Sequence, residues 1–276
     1  MSLTTAKSST GQDLPAFVTP DGVPRLLAAI PDPSGRKTAP AYSATNEVIP
    51  AKDWLPYRRF KSTVPIMNQG SHGSCVGHGS CTALMRSRDT AGMTFQLLSP
   101  TMIYSQINGG RDAGANLGDA ATELVKTGTC LMSTFPESQI YRPSPTAFAE
   151  AKRFICRPGM VFSCANFEEL VSAWLLGFDA FLSVKVGANF GNLNSNGVAP
   201  FSPGPGNHCV ATGDELISVG GTWYLDLVNS WDTSWGQGGH FKIGAQHVDH
   251  QPYYEAYAVK AALDDPLDPM NPPDLV

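Results

Sequence analysis

The spacing of apolar positions changes character part-way along the chain. In the first part it is helical. Residues 82–88 follow a glycine- and serine-rich run at 68–81 and read as helix. Ser99 and Pro100 open a second helix, with serine at the N-cap and proline at the first helical position. Residues 119–127 form a third pattern, closed by Gly128. Residues 145–154 offer a fourth. Asn166 and Glu169 stand at capping-box spacing before a fifth, which ends near Gly177. Beyond it the texture turns to strand formers, at 178–186, 209–219, 222–228, 239–243 and 253–259, with Gly220-Gly221 as a hairpin turn. Helices first and antiparallel strands later predict an α+β fold of two lobes. The helical lobe spans about 60–165 and the β lobe about 178–260.

The flanks read differently. Residues 1–48 carry recurrent prolines among Gly, Ser, Thr and Ala and are expected to be an extended N-terminal arm, with one short apolar patch at 23–30. Residues 187–207, rich in Gly, Asn and Pro, are expected to be an exposed loop near His208. Residues 263–276 form an acidic, proline-rich tail placed outside the fold.

Composition narrows the function classes. A net charge of −5 with 16% charged residues gives no basic patch and argues against a nucleic-acid partner. No window approaches the roughly 20 apolar residues of a membrane span, so no membrane partner is expected. The opening residues lack an apolar leader pattern. Six cysteines in 276 residues do not read as a disulfide framework. A reducing, cytoplasmic location is therefore expected, with a virion as the alternative.

The candidate chemistry centres on Cys75, where the run from Asn68 to Ser74 gives way to helix. A thiol at a helix N-terminus sits at the positive end of the dipole, which favours the thiolate. Three segments carry a resemblance. They are Gln69-Gly70-Ser71-His72-Gly73-Ser74-Cys75-Val76, Gly206-Asn207-His208-Cys209, and Val228-Asn229-Ser230-Trp231-Asp232-Thr233-Ser234-Trp235-Gly236. In order and separation they resemble the papain-like cysteine peptidases, whose histidine follows the cysteine by roughly 130–150 residues. The resemblance covers roughly residues 49–260 and is closest to disulfide-poor versions in bacteria and their viruses. It departs at His72 for Cys, Val76 for Trp and Asp232 for Gly.

The resemblance implies a two-lobe fold with Cys75 on the helical lobe and His208 and Asn229 on the β lobe. Cys75 would be the nucleophile and His208 the acid–base. Asn229 would orient the ring. Gln69 and the Cys75 backbone N–H would form the oxyanion hole, and Trp231 would shield the His208–Asn229 contact. It implies no cofactor. Asn108-Gly109-Gly110 and Gly118 are rival matches to the family's substrate-binding glycines. Residues 1–48 look too short and too poor in helical pattern for a full inhibitory propeptide.

Each of these residues alone has an ordinary reading, as a buried thiol or a satisfied strand histidine. The joint order and spacing override it. His72, Cys75, His78 and Cys81 recur every three residues, but such steps rotate about −60° around a helix and do not converge on a metal. Cys81 is a rival nucleophile, though it lacks Gln six positions upstream and should lie inside the helix. The expected function is a cysteine endopeptidase acting on peptide or protein substrates. The alternatives are a structural or binding module, with a protein partner for the arm, and an acyl transferase using the same residues.

Overall fold

The computed structural model of the chain describes residues 2–59 and 61–261; the expected tail at 263–276 lies outside the described residues. The arm is not simply extended. β1 (Ser2–Lys7), β2 (Asp13–Val18) and β3 (Pro24–Leu26) form an antiparallel sheet in that order. Its turns use Gly11 and Gly22, both in the left-handed region at φ +80° and +78°. Pro15 has no N–H to give, yet its carbonyl accepts from the Leu27 N–H at 2.8 Å. Ala16, Phe17 and Leu26 are fully buried against the body of the protein. That burial supplies what residues 1–48 lack alone to offset their ordering entropy.

After the short β4 (Tyr57–Arg58) comes α1 (Cys75–Thr90), buried from Cys75 to Arg88. Two glycines explain how a helix becomes so enclosed. A Cβ on Gly77 would lie 2.4 Å from the Pro100 carbonyl oxygen, and one on Gly79 would lie 2.6 Å from Cys209 Sγ. The neighbours on both sides therefore approach closer than any side chain allows.

α2 (Pro100–Ile107), α3 (Leu117–Lys126) and α4 (Pro145–Ala151) complete the helical lobe. Each start is capped. Ser99 Oγ accepts from the Met102 N–H (3.1 Å), Asn116 Oδ1 from Gly118 (2.8 Å) and Ser144 Oγ from Ala147 (3.1 Å).

β5 (Val161–Ser163) and α5 (Phe167–Leu175) follow. Asn166 caps α5 through the Glu169 N–H at 2.9 Å, but the Glu169 carboxylate turns to the Ala165 N–H, so the expected capping box closes on one side only. β6 (Asp179–Val184), β7 (His208–Val219), β8 (Thr222–Val228), β9 (His240–Gly244), α6 (Ala245–Asp249) and β10 (Ala256–Val259) end the described chain. The large sheet runs β5-β10-β6-β7-β8-β9, with β4 also on β7. Gly220 and Gly221, at φ +58° and +81°, make the β7–β8 hairpin.

Two expectations are corrected here. β4, β5 and α5 belong with the sheet, so the β lobe draws on residues well before 178. The 187–207 segment is not simply exposed. Phe190, Val198 and Ala199 are buried, and Phe190 stacks on Trp235 at 5.4 Å.

β6 and β7 form the wall between two cores. Leu182 and Val210 face the interior of the β lobe with Trp174, Leu227 and Phe241. Phe181 and Cys209 face α1, with Leu84, Ile103 and Leu124. Below this wall Asp179, fully buried, holds Arg59 Nη1 at 3.0 Å and Arg86 Nε at 3.5 Å, and accepts from Thr90 and Thr212.

Candidate active site

Cys75 opens α1 and His208 opens β7, and β7 lies against α1 at Gly79. Both side chains are fully buried. His208 Nε2 is 2.8 Å from Asn229 Oδ1. That oxygen also accepts from the Ser230 N–H at 2.8 Å, so it is an acceptor and the ring proton belongs on Nε2. Nδ1, with its lone pair, is buried and has no hydrogen-bond partner among the described residues. Trp231 lies across the ring at 4.6 Å and is itself fully buried.

Gln69 is fixed from the same segment. Its Oε1 accepts from Ser230 Oγ (2.8 Å) and Trp231 Nε1 (3.2 Å). Its Nε2 therefore points the other way, donating to the His72 carbonyl (2.9 Å) and to the Leu26 carbonyl (3.2 Å).

Leu26 belongs to the arm, and the arm crosses the site. The Ala29 N–H donates to the Asn207 carbonyl at 3.2 Å, next to His208. Ala115 donates its N–H to the Ala28 carbonyl (3.0 Å) and accepts from the Ile30 N–H (2.9 Å), a parallel bridge. The Ala28 backbone N–H favours the Cys75 thiolate. Gly114, at φ +94°, permits this passage, since a Cβ there would lie 2.1 Å from the Ala28 oxygen. Gly114 and Ala115 meet the arm at Ala28–Ile30, and Gly118 meets it at Thr38, whose Oγ1 donates to the Gly118 carbonyl at 2.8 Å.

Two anchors hold the crossing in place. Phe17 stacks on Trp231 at 5.3 Å with planes 12° apart. Arg25, almost wholly buried, donates to Asn68 Oδ1 (2.6 Å), the Gly70 carbonyl (3.3 Å), Thr19 Oγ1 (3.2 Å) and Asp21 Oδ2 (2.7 Å). The apolar patch at 23–30 is thus the cover of the candidate nucleophile.

The cover sets the protonation states. Burial pushes the Cys75 thiol up to about 11, outweighing the backbone N–H groups of Ala28, Cys209 and Val76 that favour the thiolate. Burial also lowers His208 to about 4, against the Asn229 bond that raises it, and the nearby His78 lowers it further. The low-pKa thiol expected from the helix dipole is therefore not present in the closed state. Desolvation by burial raises the Cys75 thiol and lowers the His208 imidazole, which favours the neutral form of each.

The other members of the loop go to separate partners. His72 Nδ1 lies 3.5 Å from Asp112 Oδ2. His78 is buried, with Nδ1 3.0 Å from the Ser74 carbonyl and Nε2 3.3 Å from Glu137. Cys81 is fully buried inside α1, and burial pushes its thiol well above the usual range. Asp232, in place of glycine, does sit at φ +69°, with its carboxylate accepting from the Thr233 N–H and hydroxyl.

The two-lobe arrangement has clear structural counterparts. No family model matches the chain, and no curated protein matches it. Among solved structures it is similar to digestive procathepsin L 3 of the larval midgut of Tenebrio molitor (TM-score 0.61, 15% identity, 81% of this chain, 76% of that one). It is also similar to xylellain, a cysteine protease from Xylella fastidiosa (0.61, 16%, 93% and 98%), and to the proform of the ragweed pollen cysteine protease Amb a 11 (0.63, 15%, 82% and 71%). The fold is papain-like. Within the papain-like fold, α1 and the sheet stand where the sequence reading put the two lobes.

Sequence reasoning missed Asp112. This fully buried carboxylate accepts from the Gly73 N–H (2.8 Å), Tyr104 OH (2.9 Å), and the Ser9 N–H and hydroxyl (3.1 and 2.9 Å). These bonds and His72 lower its pKa to about 2, despite burial. It ties the β1–β2 turn of the arm to the loop before Cys75. Nothing in its flanking sequence, Gly109-Gly110-Arg111-Asp112, marks that role.

Proposed function

We propose that this chain is a cysteine endopeptidase whose reactive centre is Cys75, His208 and Asn229, held latent by residues 24–30. The observation that carries the reading is the His208 ring, fixed by Asn229 at 2.8 Å and packed at a 32° tilt against Trp231. This leaves Nδ1 as the only ring atom able to take a proton from a thiol.

In the uncovered form, Nδ1 removes the Cys75 proton and Sγ attacks the substrate carbonyl carbon, forming the C–S bond. Gln69 Nε2, now held to the Leu26 carbonyl, and the Cys75 N–H donate to the oxygen that becomes negative. The C–N bond breaks as the imidazolium returns its proton to the leaving amine. Neutral His208 then deprotonates water, which hydrolyses the thioester and restores the thiol. Asn229 holds the ring through both transfers, and Trp231 keeps water from their contact.

The test is labelling by an epoxide-type thiol inhibitor together with hydrolysis of a casein-like substrate under reducing conditions. Cys75→Ala is expected to abolish both. Labelling that persists in that variant, or transfers to Cys81, would falsify the assignment.

The complete burial of Cys75 and His208 favours a second reading, a papain-like fold kept for its contacts. That reading predicts neither labelling nor hydrolysis at any pH.

A further inference from the structure

The β lobe carries an open cavity of about 310 Å³, lined from β4, β7, β8 and β9 and the residues beside them. Every side chain that lines it is charged or polar, and none of Cys75, His208, Asn229 or Gln69 is among them. The strand period explains the charge. On β8 and β9, Leu225, Leu227, Phe241 and Ile243 face the core of the β lobe. Asp226 and Lys242, paired in register, therefore share the opposite face. On β7 the register shifts between Thr212 and Leu216, and Asp214 and Glu215 line the cavity there. Gly213 makes room, since a Cβ on it would lie 2.1 Å from Asp226 Oδ2.

The carboxylates are already engaged. Glu215 holds Lys242 Nζ at 2.8 Å and Arg58 Nε at 3.1 Å. Asp226 Oδ2 meets His240 Nδ1 and accepts from the Asp214 N–H, both at 2.8 Å. Asp214 pairs with Arg86, and Arg59 with the buried Asp179. Burial works to raise the Glu215 carboxyl, yet Lys242 and Arg58 hold it below its ordinary value.

The cations are in excess. Arg58, Arg59, Lys61, Arg86 and Lys242 face the carboxylates of Asp179, Asp214, Glu215 and Asp226, so five meet four. The exposed Lys61 is left with no partner among the described residues. The side chains of Arg59 and Lys242 are only 7% and 6% exposed, so positive charge is built into the floor of the cavity as well as its rim.

We propose that this cavity binds a small multivalent oxyanion of the phosphate kind. Its volume suits a ligand site. An apolar ligand finds nothing there to bury against, and a cation meets carboxylates that are already engaged. An oxyanion brings acceptors for Lys61, Lys242 and Arg58 together with the missing negative charge. The site is independent of peptide hydrolysis, and so is its test.

The full, reduced chain is titrated with inorganic phosphate while chloride holds the ionic strength constant, and amide shifts report binding. Saturable shifts confined to residues 58–61, 213–226 and 237–242 are expected, with a Kd of about 1 mM or lower. Lys61→Glu should weaken binding about tenfold or more. Lys61→Arg should keep it within about threefold. Lys152→Glu makes the same change of net charge on the helical lobe and should leave the Kd unchanged. Lys61 and Lys152 are both exposed, so none of these substitutions disturbs the core. Shifts that do not saturate, that spread over the surface, that survive Lys61→Glu or that weaken equally in Lys152→Glu mean an adventitious ion only and overturn the site.

Discussion

At the scale of single residues, Gln69 is a side chain whose two ends are held by different parts of the chain. Its oxygen is held by Ser230 and Trp231, so its nitrogen has a fixed direction whether or not the arm is present. In the closed state that nitrogen meets the Leu26 carbonyl, where the proposed mechanism needs a reacting carbonyl. Gln69→Ala is expected to lower kcat by about 10²–10³. It should leave the Cys75 labelling rate changed far less, because labelling forms no oxyanion. Steady-state kinetics beside labelling kinetics check this, and equal losses in both would contradict the role. The contact of His208 with Asn229 was legible because the two segments that carry them are unusual together in type and order. The protonation states were not, since they depend on what covers the site. A helix N-terminus argues for a thiolate, and burial of Cys75 outweighs it.

At the scale of elements, α1 is enclosed because two of its residues have no side chain. Gly77→Ala should gain about 1 kcal/mol in helix propensity. It would also force a Cβ to 2.4 Å from the Pro100 carbonyl, a backbone atom that cannot swing away. The clash should win, with a net loss of about 1–3 kcal/mol in urea unfolding. An unchanged midpoint would contradict the packing described. The strands 222–228 and 240–244 and the capped helices were legible because each carries its own turn or cap residues. The arm was misread for the opposite reason. Its strands are short and its partners, Trp231, Asn68, Asp112 and Ala115, all lie far along the chain. Local sequence cannot show such pairings. The patch at 23–30 was visible as apolar, but its destination was not.

For the whole molecule, burial of His208 couples closure of the arm to pH. His208 is lowered to about 4 under the arm, whereas an exposed imidazole titrates near 6.5. A state that exposes His208 therefore binds more protons. The closed state keeps its full advantage above about 6.5 and loses up to about 3 kcal/mol of it as pH falls to about 4. Asp112, held at about 2, stays ionised through that window, so its bonds to Ser9 and Gly73 persist. Amide hydrogen exchange of residues 24–30, corrected for intrinsic rates, should show more frequent opening at pH 4.5 than at pH 7.5. Equal opening at both would contradict the burial of a neutral imidazole.

The most direct measurement is the site-resolved rate of epoxide labelling in the reduced full chain, wild type against Phe17→Ala. Removing the ring that stacks on Trp231 loosens the cover without touching Cys75, His208 or Asn229. A buried Phe→Ala change costs about 3–5 kcal/mol, so labelling of Cys75 alone should accelerate at least about tenfold. Label on another cysteine, or an unchanged rate, would contradict a reactive centre held closed by the arm.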